Sequence, residues 1–318
     1  GESLLAKLLI DVSPNEVCEG VLQRVKAVFN LALSDIPRTR DAADGFLHKL
    51  HLSSVSLASK EVYADRQHFL DLLQAHSSSG DPFQKISMLK AWAHFIKILG
   101  STFDHSVASH LLSTVTFTFA DEDVSVRKQS FECWIALVSS WTSGTDESQM
   151  LDAKHLHCLL RPIMQSLSVR DDGSQREKEE SVRLAAADTW VHLTQCVGPS
   201  MSKLFGTVIA PVLQNAVVDP DEEVRRQALH VLASVVHMPS SVCKMAPRGH
   251  DHAVESDGVM CLDKQAYELH KDLIMMCFKK AARACTFQGT AEKLRLLVHV
   301  WSHILQRCWR NDVGPEPD

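Results

Sequence analysis

One short phrase recurs along this chain and limits what it can fold into. Asp219-Pro220-Asp221-Glu222-Glu223-Val224-Arg225 leads into an apolar stretch, and Asp121-Glu122-Asp123-Val124-Ser125-Val126-Arg127 and Glu179-Glu180-Ser181-Val182-Arg183 echo it. Counting from the Val of each Val-Arg pair, Ser130, Ala186 and Ala228 stand four residues on, and Trp134, Trp190 and Leu232 eight on. Leu137, Leu193 and Val235 stand eleven on. Offsets of four, eight and eleven share one face of an α-helix. The small residue lets a neighbouring helix approach, and the bulky one fills the space beyond. Trp92 lies 42 residues before Trp134, which puts Lys85 in the Arg slot of an earlier copy with Met88 in the small slot. Trp134 and Trp190 are 56 residues apart, and the charged stretch Val169–Glu180 accounts for the excess as a surface insertion. A period near 42 residues is that of HEAT and armadillo repeats, roughly 40–47 residues.

The expected fold is therefore all-α: a right-handed HEAT/armadillo-like superhelix, or α-solenoid, in which each repeat rests on its neighbours. Glycine and proline are few, and no strand-like alternation competes with this reading. The expected organisation has N-terminal helices over 1–81, clear repeats over 82–237, an irregular loop over 238–261, C-terminal helices over 262–310 and a disordered stub over 311–318. Ser13-Pro14-Asn15-Glu16 reads as a helix start, after a first helix from Glu2 to Ile10. Helices are then expected at about Arg38–Leu50, Ser54–Gln74 and Phe83–Leu99, the last closed by Gly100. His105–Phe119 pairs with Val124–Trp141, Leu151–Leu167 with Glu177–Val197, and Met201–Val217 with Asp221–His237, where Asp219 is the expected cap. Leu262–Ala284 and Ala291–Arg310 close the array. They are expected to bury Leu269, Leu273 and Met276, and Leu294, Leu297, Trp301, Ile304 and Leu305. The chain reads as a piece of a longer protein, since it opens at Gly1 without Met.

The residues supply little chemistry. The Arg127, Arg183 and Arg225 series reads as a structural ladder, each Arg bonding a neighbouring loop, rather than as a phosphate-binding stripe. No Gly-rich phosphate loop, Gly-x-Ser-x-Gly or His-Glu-x-x-His occurs, so an enzyme is not expected, nor a catalytic residue or cofactor. Nine cysteines stand singly without a Cys-x-x-Cys pair, as expected of reduced thiols in an intracellular protein. Cys243, His250, His252 and Cys261 have the wrong spacing for a zinc finger, and His155, His157 and Cys158 do not converge on one metal, so no metal site is expected. No apolar run is long enough to span a membrane. Net charge is −6, which argues against a chain-wide nucleic-acid surface. The one local basic cluster, Lys279, Lys280, Arg283, Lys293 and Arg295, is the candidate partner- or DNA-binding patch.

Four segments together carry a more specific signal. They are Met88-Leu89-Lys90-Ala91-Trp92 with Phe95-Ile96-Lys97-Ile98-Leu99-Gly100; Phe131-Glu132-Cys133-Trp134-Ile135-Ala136-Leu137-Val138; Ala153-Lys154-His155-Leu156-His157-Cys158-Leu159-Leu160-Arg161-Pro162-Ile163; and Trp190-Val191-His192-Leu193 with Gly198-Pro199. In this order the region of about Pro82–Val236 resembles the N-terminal helical-repeat region of the Rif family, the Rap-interacting factors. The resemblance implies a non-catalytic nuclear scaffold acting in telomere maintenance, replication timing and double-strand-break repair. It implies protein partners among repair and chromatin factors, and DNA for some members. Protein phosphatase 1 would be recruited only through parts of the chain not present here, since Arg24-Val25-Lys26-Ala27 lacks the Phe of the docking motif. The alternative on composition is a HEAT-repeat adaptor of nuclear transport or microtubule regulation.

Overall fold

The computed structural model of the 318-residue chain describes residues 21–53, 55–102, 104–143, 153–169, 177–236, 262, 264–285 and 291–312. Among these residues there is no strand, and the fold is an all-α helical-repeat array of the HEAT/armadillo class. Its contacts divide into two compact units, Gly1–Ser148 and Gln149–Asp318.

The first unit holds α1 (Val21–Ala32), α2 (Pro37–Ser53), α3 (Val55–Ala64), α4 (Arg66–Ser77), α5 (Pro82–Leu99), α6 (His105–Val115) and α7 (Val124–Ser143). The span expected as one helix over Ser54–Gln74 is two, broken at Asp65. Helix α5 is the hub and packs on α1, α2, α3, α4 and α7. Its core is aromatic. Phe29 of α1 meets Phe69 of α4 edge-on at 5.0 Å, and Phe69 stacks on Phe95 of α5 at 5.4 Å. Trp92 closes on Phe95 at 5.8 Å. Asp81 opens α5 by accepting the Phe83 N–H, and Gly100 ends it at φ 49°, a left-handed conformation that a side chain would oppose. Helices α5 and α7 run parallel: Lys85 reaches Asp121 at the lead-in to α7, while the Ser140 hydroxyl donates to the Ile96 carbonyl near the far end.

The second unit holds α8 (Ala153–Leu167), α9 (Glu180–Met201), α10 (Ala210–Ala216), α11 (Glu222–Val235), α12 (Lys264–Cys285) and α13 (Ala291–Asp312). Helix α9 packs on α8 and α11. It bends at Val197, just before Gly198-Pro199, because a proline disfavours the helical conformation of what precedes it. The continuous helix expected over Met201–Val217 is instead a short 3₁₀ turn, a π-helical turn at Phe205–Ile209 and then α10. Gly206 explains the choice of residue there. A Cβ at this position would stand 2.6 Å from His270 Cε1, so a larger residue would force the imidazole aside. The expected helix Glu2–Ile10 and cap at Ser13, and all of the 238–261 loop, lie outside the described residues. Helix α13 runs through Asn311 to Asp312, two residues past the expected end.

The face predicted by the repeat is the face that is buried. Trp92, Trp134 and Trp190 are each 1 % exposed, and Leu232, Ser130, Ala186 and Ala228 are 0 %. The C-terminal helices differ from expectation. Leu269, Met276, Leu294, Trp301 and Leu305 are exposed, while α12 buries Tyr267, Ile274, Cys277 and Ala281, and α13 buries Leu297, Val300 and Ile304. On α12 the buried row lies on the opposite side of the helix from Leu269 and Met276. On α13 the apolar arc is wider than its contact with α11 and α12.

Candidate functional site

The recurring phrase builds a recurring turn. Asp121 Oδ1 accepts the Asp123 N–H, Glu177 Oε1 the Glu179 N–H, and Asp219 Oδ1 the Asp221 N–H, each two residues on. Ser34 and Ser79 do the same for Ile36 and Asp81 through their hydroxyls. Six residues after the turn-former comes the cation: Arg40, Lys85, Arg127, Arg183 or Arg225. Each of the four arginines folds back and donates Nη1 to the carbonyls six and five residues earlier. Arg40 bonds Ser34 and Asp35, Arg127 bonds Asp121 and Glu122, Arg183 bonds Glu177 and Lys178, and Arg225 bonds Asp219 and Pro220. These carbonyls precede the helix and have no partner within it.

The copy at Ser34–Arg40 went unnoticed in the sequence because serine replaces the acid and Thr39 replaces valine. The small and bulky slots were the available signal: Ala43 and Leu47 fall four and eight residues after Thr39 and are 2 % and 0 % exposed.

The ladder is therefore mixed. Arg183 clamps its own lead-in turn and also crosses to the next layer, where its Nε and Nη2 donate to Asp219 at 3.0 and 3.1 Å. Lys85 makes the equivalent crossing to Asp121 at 2.5 Å. Asp219 is not the cap expected of it. Asp221 caps α11, accepting the Val224 N–H at 2.8 Å, which frees Asp219 for the crossing. Burial pushes the Asp121 carboxyl upward, but the bonds from Lys85 and from the Asp123 N–H, with the Lys85 and Arg127 charges, leave it below the ordinary carboxylate value. Asp44 is likewise held low, chiefly by its 2.8 Å bond to His94 Nε2, against some burial and with help from the charges of His94 and Lys90.

These groups are engaged with the protein itself, so their chemistry is architectural. Cys133 and Cys277 are buried, and burial pushes both thiols up, Cys277 to about 12, which leaves them poor nucleophiles. His157 and Cys158 are exposed on α8 with buried Leu156 beside them. Cys243, His250, His252 and Cys261 lie outside the described residues, among which no group of three potential metal ligands occurs. A hollow beside α8 is lined by His157, Arg161, Met164 and Gln165 of the helix and by Ser168 and Val169, which follow it.

The candidate basic residues fall on the C-terminal helices. Lys279 and Arg283 are exposed on α12, and Arg295 is exposed on α13. Lys280 is half-buried and its ammonium donates to Gln214 Oε1 of α10 at 3.3 Å. Lys293 lies in α13 with its side chain outside what the structure describes. Among the described residues no helix is long and apolar enough to cross a membrane.

Comparison with known proteins agrees with this architecture. The family described as Rap1-interacting factor 1 N terminal matches residues 56–209, from α3 to the end of the π-helical turn. The telomere-associated protein RIF1 of Homo sapiens is 26% identical over 150 residues, covering 46% of this chain and 6% of that protein. RIF1 of Mus musculus is 26% identical over 132 residues, 41% of this chain and 5% of that protein, and RIF1 of Gallus gallus is 28% identical over 130 residues, with 40% and 5% covered. The matched segment is thus a small fraction of the length of these relatives. Residues 56–209, just under half of this chain, are thus similar to the N-terminal helical-repeat region of the Rif family.

Proposed function

We propose that this chain is a non-catalytic scaffold segment of a nuclear, telomere-associated protein, acting in telomere maintenance, replication-timing control and double-strand-break repair by binding chromatin and repair proteins. The observation that carries the reading is the Rif1 N-terminal match across 56–209, together with relatives whose names place them at telomeres. The engagement of the described charged groups in capping and layer crossing supports a structural role over a catalytic one. In this reading DNA is a secondary ligand of Lys279, Lys280, Arg283, Lys293 and Arg295. Phosphatase recruitment belongs to other parts of the protein.

Chromatin immunoprecipitation of the tagged full-length protein tests the reading, with enrichment at telomeric repeats and at late-replicating origins expected. A cytoplasmic distribution without such enrichment overturns it. For DNA, the net charge of −6 predicts weak binding by this chain that fades between 50 and 200 mM salt. Tight, salt-insensitive binding would contradict it.

A further inference from the structure

One rung of the ladder is chemically incomplete. In each unit a cation at the ladder position crosses to the turn-forming acid of the next layer: Lys85 meets Asp121 and Arg183 meets Asp219, each pair 36 residues apart. Between α2 and α5 the cation is present but the acid is not. Arg40 holds the cation position of α2, and the turn-former ahead of α5 is Ser79. Arg40 donates Nη1 to the Ser34 and Asp35 carbonyls, as Arg183 donates Nη1 to its own lead-in turn. Arg183 directs its Nε and Nη2 to Asp219, whereas Arg40 makes no further hydrogen bond among the described residues.

Ser79 and Arg40 are brought together by the packing of α5 on α2. Gln84 links their two turns: its Oε1 accepts from the Ser79 hydroxyl at 2.6 Å, and its Nε2 donates to Asp35 Oδ1 at 2.7 Å. The Asp35 carbonyl is one of the two that Arg40 holds. A neutral amide thus stands where Lys85 and Arg183 make ion pairs. Ser79 lies half-buried between α4 and α5, with Ser78, Gly80 and Asp81 exposed around it, so an enzyme can reach the hydroxyl.

We propose that Ser79 is a phosphorylation site and that its phosphate completes the rung by bonding Arg40. A protein kinase supplies the phosphoryl group from ATP: the Ser79 Oγ–P bond forms, the bond from the γ-phosphorus to the leaving oxygen of ADP breaks, and the hydroxyl proton passes to the kinase's base. The product carries about −1.5 to −2 charge and three acceptor oxygens. One oxygen keeps the Asp81 N–H, as Asp219 Oδ1 keeps that of Asp221, which leaves the others for Arg40 Nε and Nη2 in the two-point geometry a guanidinium favours. The phosphorus stands one bond further from the backbone than an Asp carboxyl carbon, which lengthens the reach. Asp35 and Asp81 are the nearby like charges and Arg38 the further cation, all exposed to solvent. The Lys85 crossing tolerates the same crowding, since Glu122 and Asp123 follow Asp121 directly. Phosphorylation exchanges the neutral Ser79–Gln84 contact for a charged one and fastens α2 to α5, so this joint is adjustable where the other two crossings carry a fixed acid.

The test uses the 318-residue chain with phosphoserine incorporated site-specifically at position 79, in the wild-type and Arg40→Met backgrounds, each compared with its own unphosphorylated form. Phosphorylation should raise the Tm of the wild type by a few degrees and leave that of Arg40→Met unchanged or lower. The phosphorus NMR signal should titrate below the usual second phosphate pKa of about 6 in the wild type and return to it in Arg40→Met. If Arg40→Met fails to fold, Arg40→Lys, which keeps the charge without the fork, should reduce both effects. A phosphate that lowers the Tm, or whose gain and titration shift persist without the arginine, overturns the proposal. Mass spectrometry of the full-length protein from dividing cells should find phosphate on Ser79. Phosphate only on Ser77 or Ser78, or on none of the three, overturns it as well. Absence of telomere enrichment with these results intact would sink the functional reading and leave the phosphate site standing.

Discussion

Arg183 and Asp219 stand 36 residues apart in the chain and meet in a two-point ion pair, their side chains 5% and 1% exposed. The pair fastens the start of α9 to the lead-in of α11. Asp219 also receives the Asp221 N–H, and its carbonyl receives Arg225, so three segments converge on one residue. Breaking a buried pair strands a charge, whereas removing both partners does not. Arg183→Met alone and Asp219→Ala alone should each cost about 3–5 kcal/mol. The double variant should cost clearly less than their sum. Urea denaturation of the four proteins of this cycle measures the coupling, and simple additivity would mean that the pair is not a stabilising unit.

Trp92 and Trp190 fill volume rather than supply a polar contact. The indole nitrogens of Trp92 and Trp190 are buried without a hydrogen-bond partner. Trp190→Ala should therefore cost about 3–5 kcal/mol through the cavity it leaves. Trp190→Phe should cost much less, because it also removes an unsatisfied donor. Thermal unfolding of the two variants decides, and equal losses would contradict the argument.

The small slot is a close approach and should reject bulk. Ser130, Ala186 and Ala228 are fully buried. Ala186→Leu should destabilise by about 1–3 kcal/mol from overpacking, although leucine has a high helix propensity. A neutral or stabilising result in denaturant melts would show that the layers can separate at no cost.

Gly206 and His270 form a testable pair across the second unit. Gly206→Ala should destabilise, since its Cβ would meet the imidazole at 2.6 Å. His270→Ala should largely rescue it, and a Tm comparison of the single and double variants reads this out. Failure of the rescue would place the cost in the π-helical turn itself.

Acid should loosen the first unit. Asp44 and Asp121 have folded-state values below the ordinary carboxylate value of 3.8. A depressed carboxylate contributes stability that is complete above its unfolded value and is lost as pH falls through the folded one. The stability gap between the wild type and Asp121→Asn should be constant near neutrality and shrink below about pH 4. A gap that widens on acidification would reverse the sign and refute the assignment.

Much of the fold was legible because burial repeats. Any helix that must cover its neighbour at a fixed interval shows small and bulky residues at fixed offsets, and Trp134, Trp190 and Ala186 showed them. The turn-formers were half legible. Asp121 and Asp219 stood out as acids, but only geometry separates the residue that caps the helix from the one that crosses to the next layer. Ser34 and Ser79 build the same turn with a different functional group, which a search for acids passes over. The candidate basic residues were visible as charges, while the apolar row beside them was mistaken for core.

Side-chain spacing along one chain was enough for the period and the all-α class, and four quoted segments carried the resemblance to the Rif family. Which partner each side chain takes was settled by contacts between residues distant in the chain. Asp219 joins the layer before it to its own helix while Asp221 caps that helix, and on α13 Leu294 and Val298 stay exposed. Helical periodicity specifies which residues share a face, but whether another element lies over that face depends on residues distant in the chain.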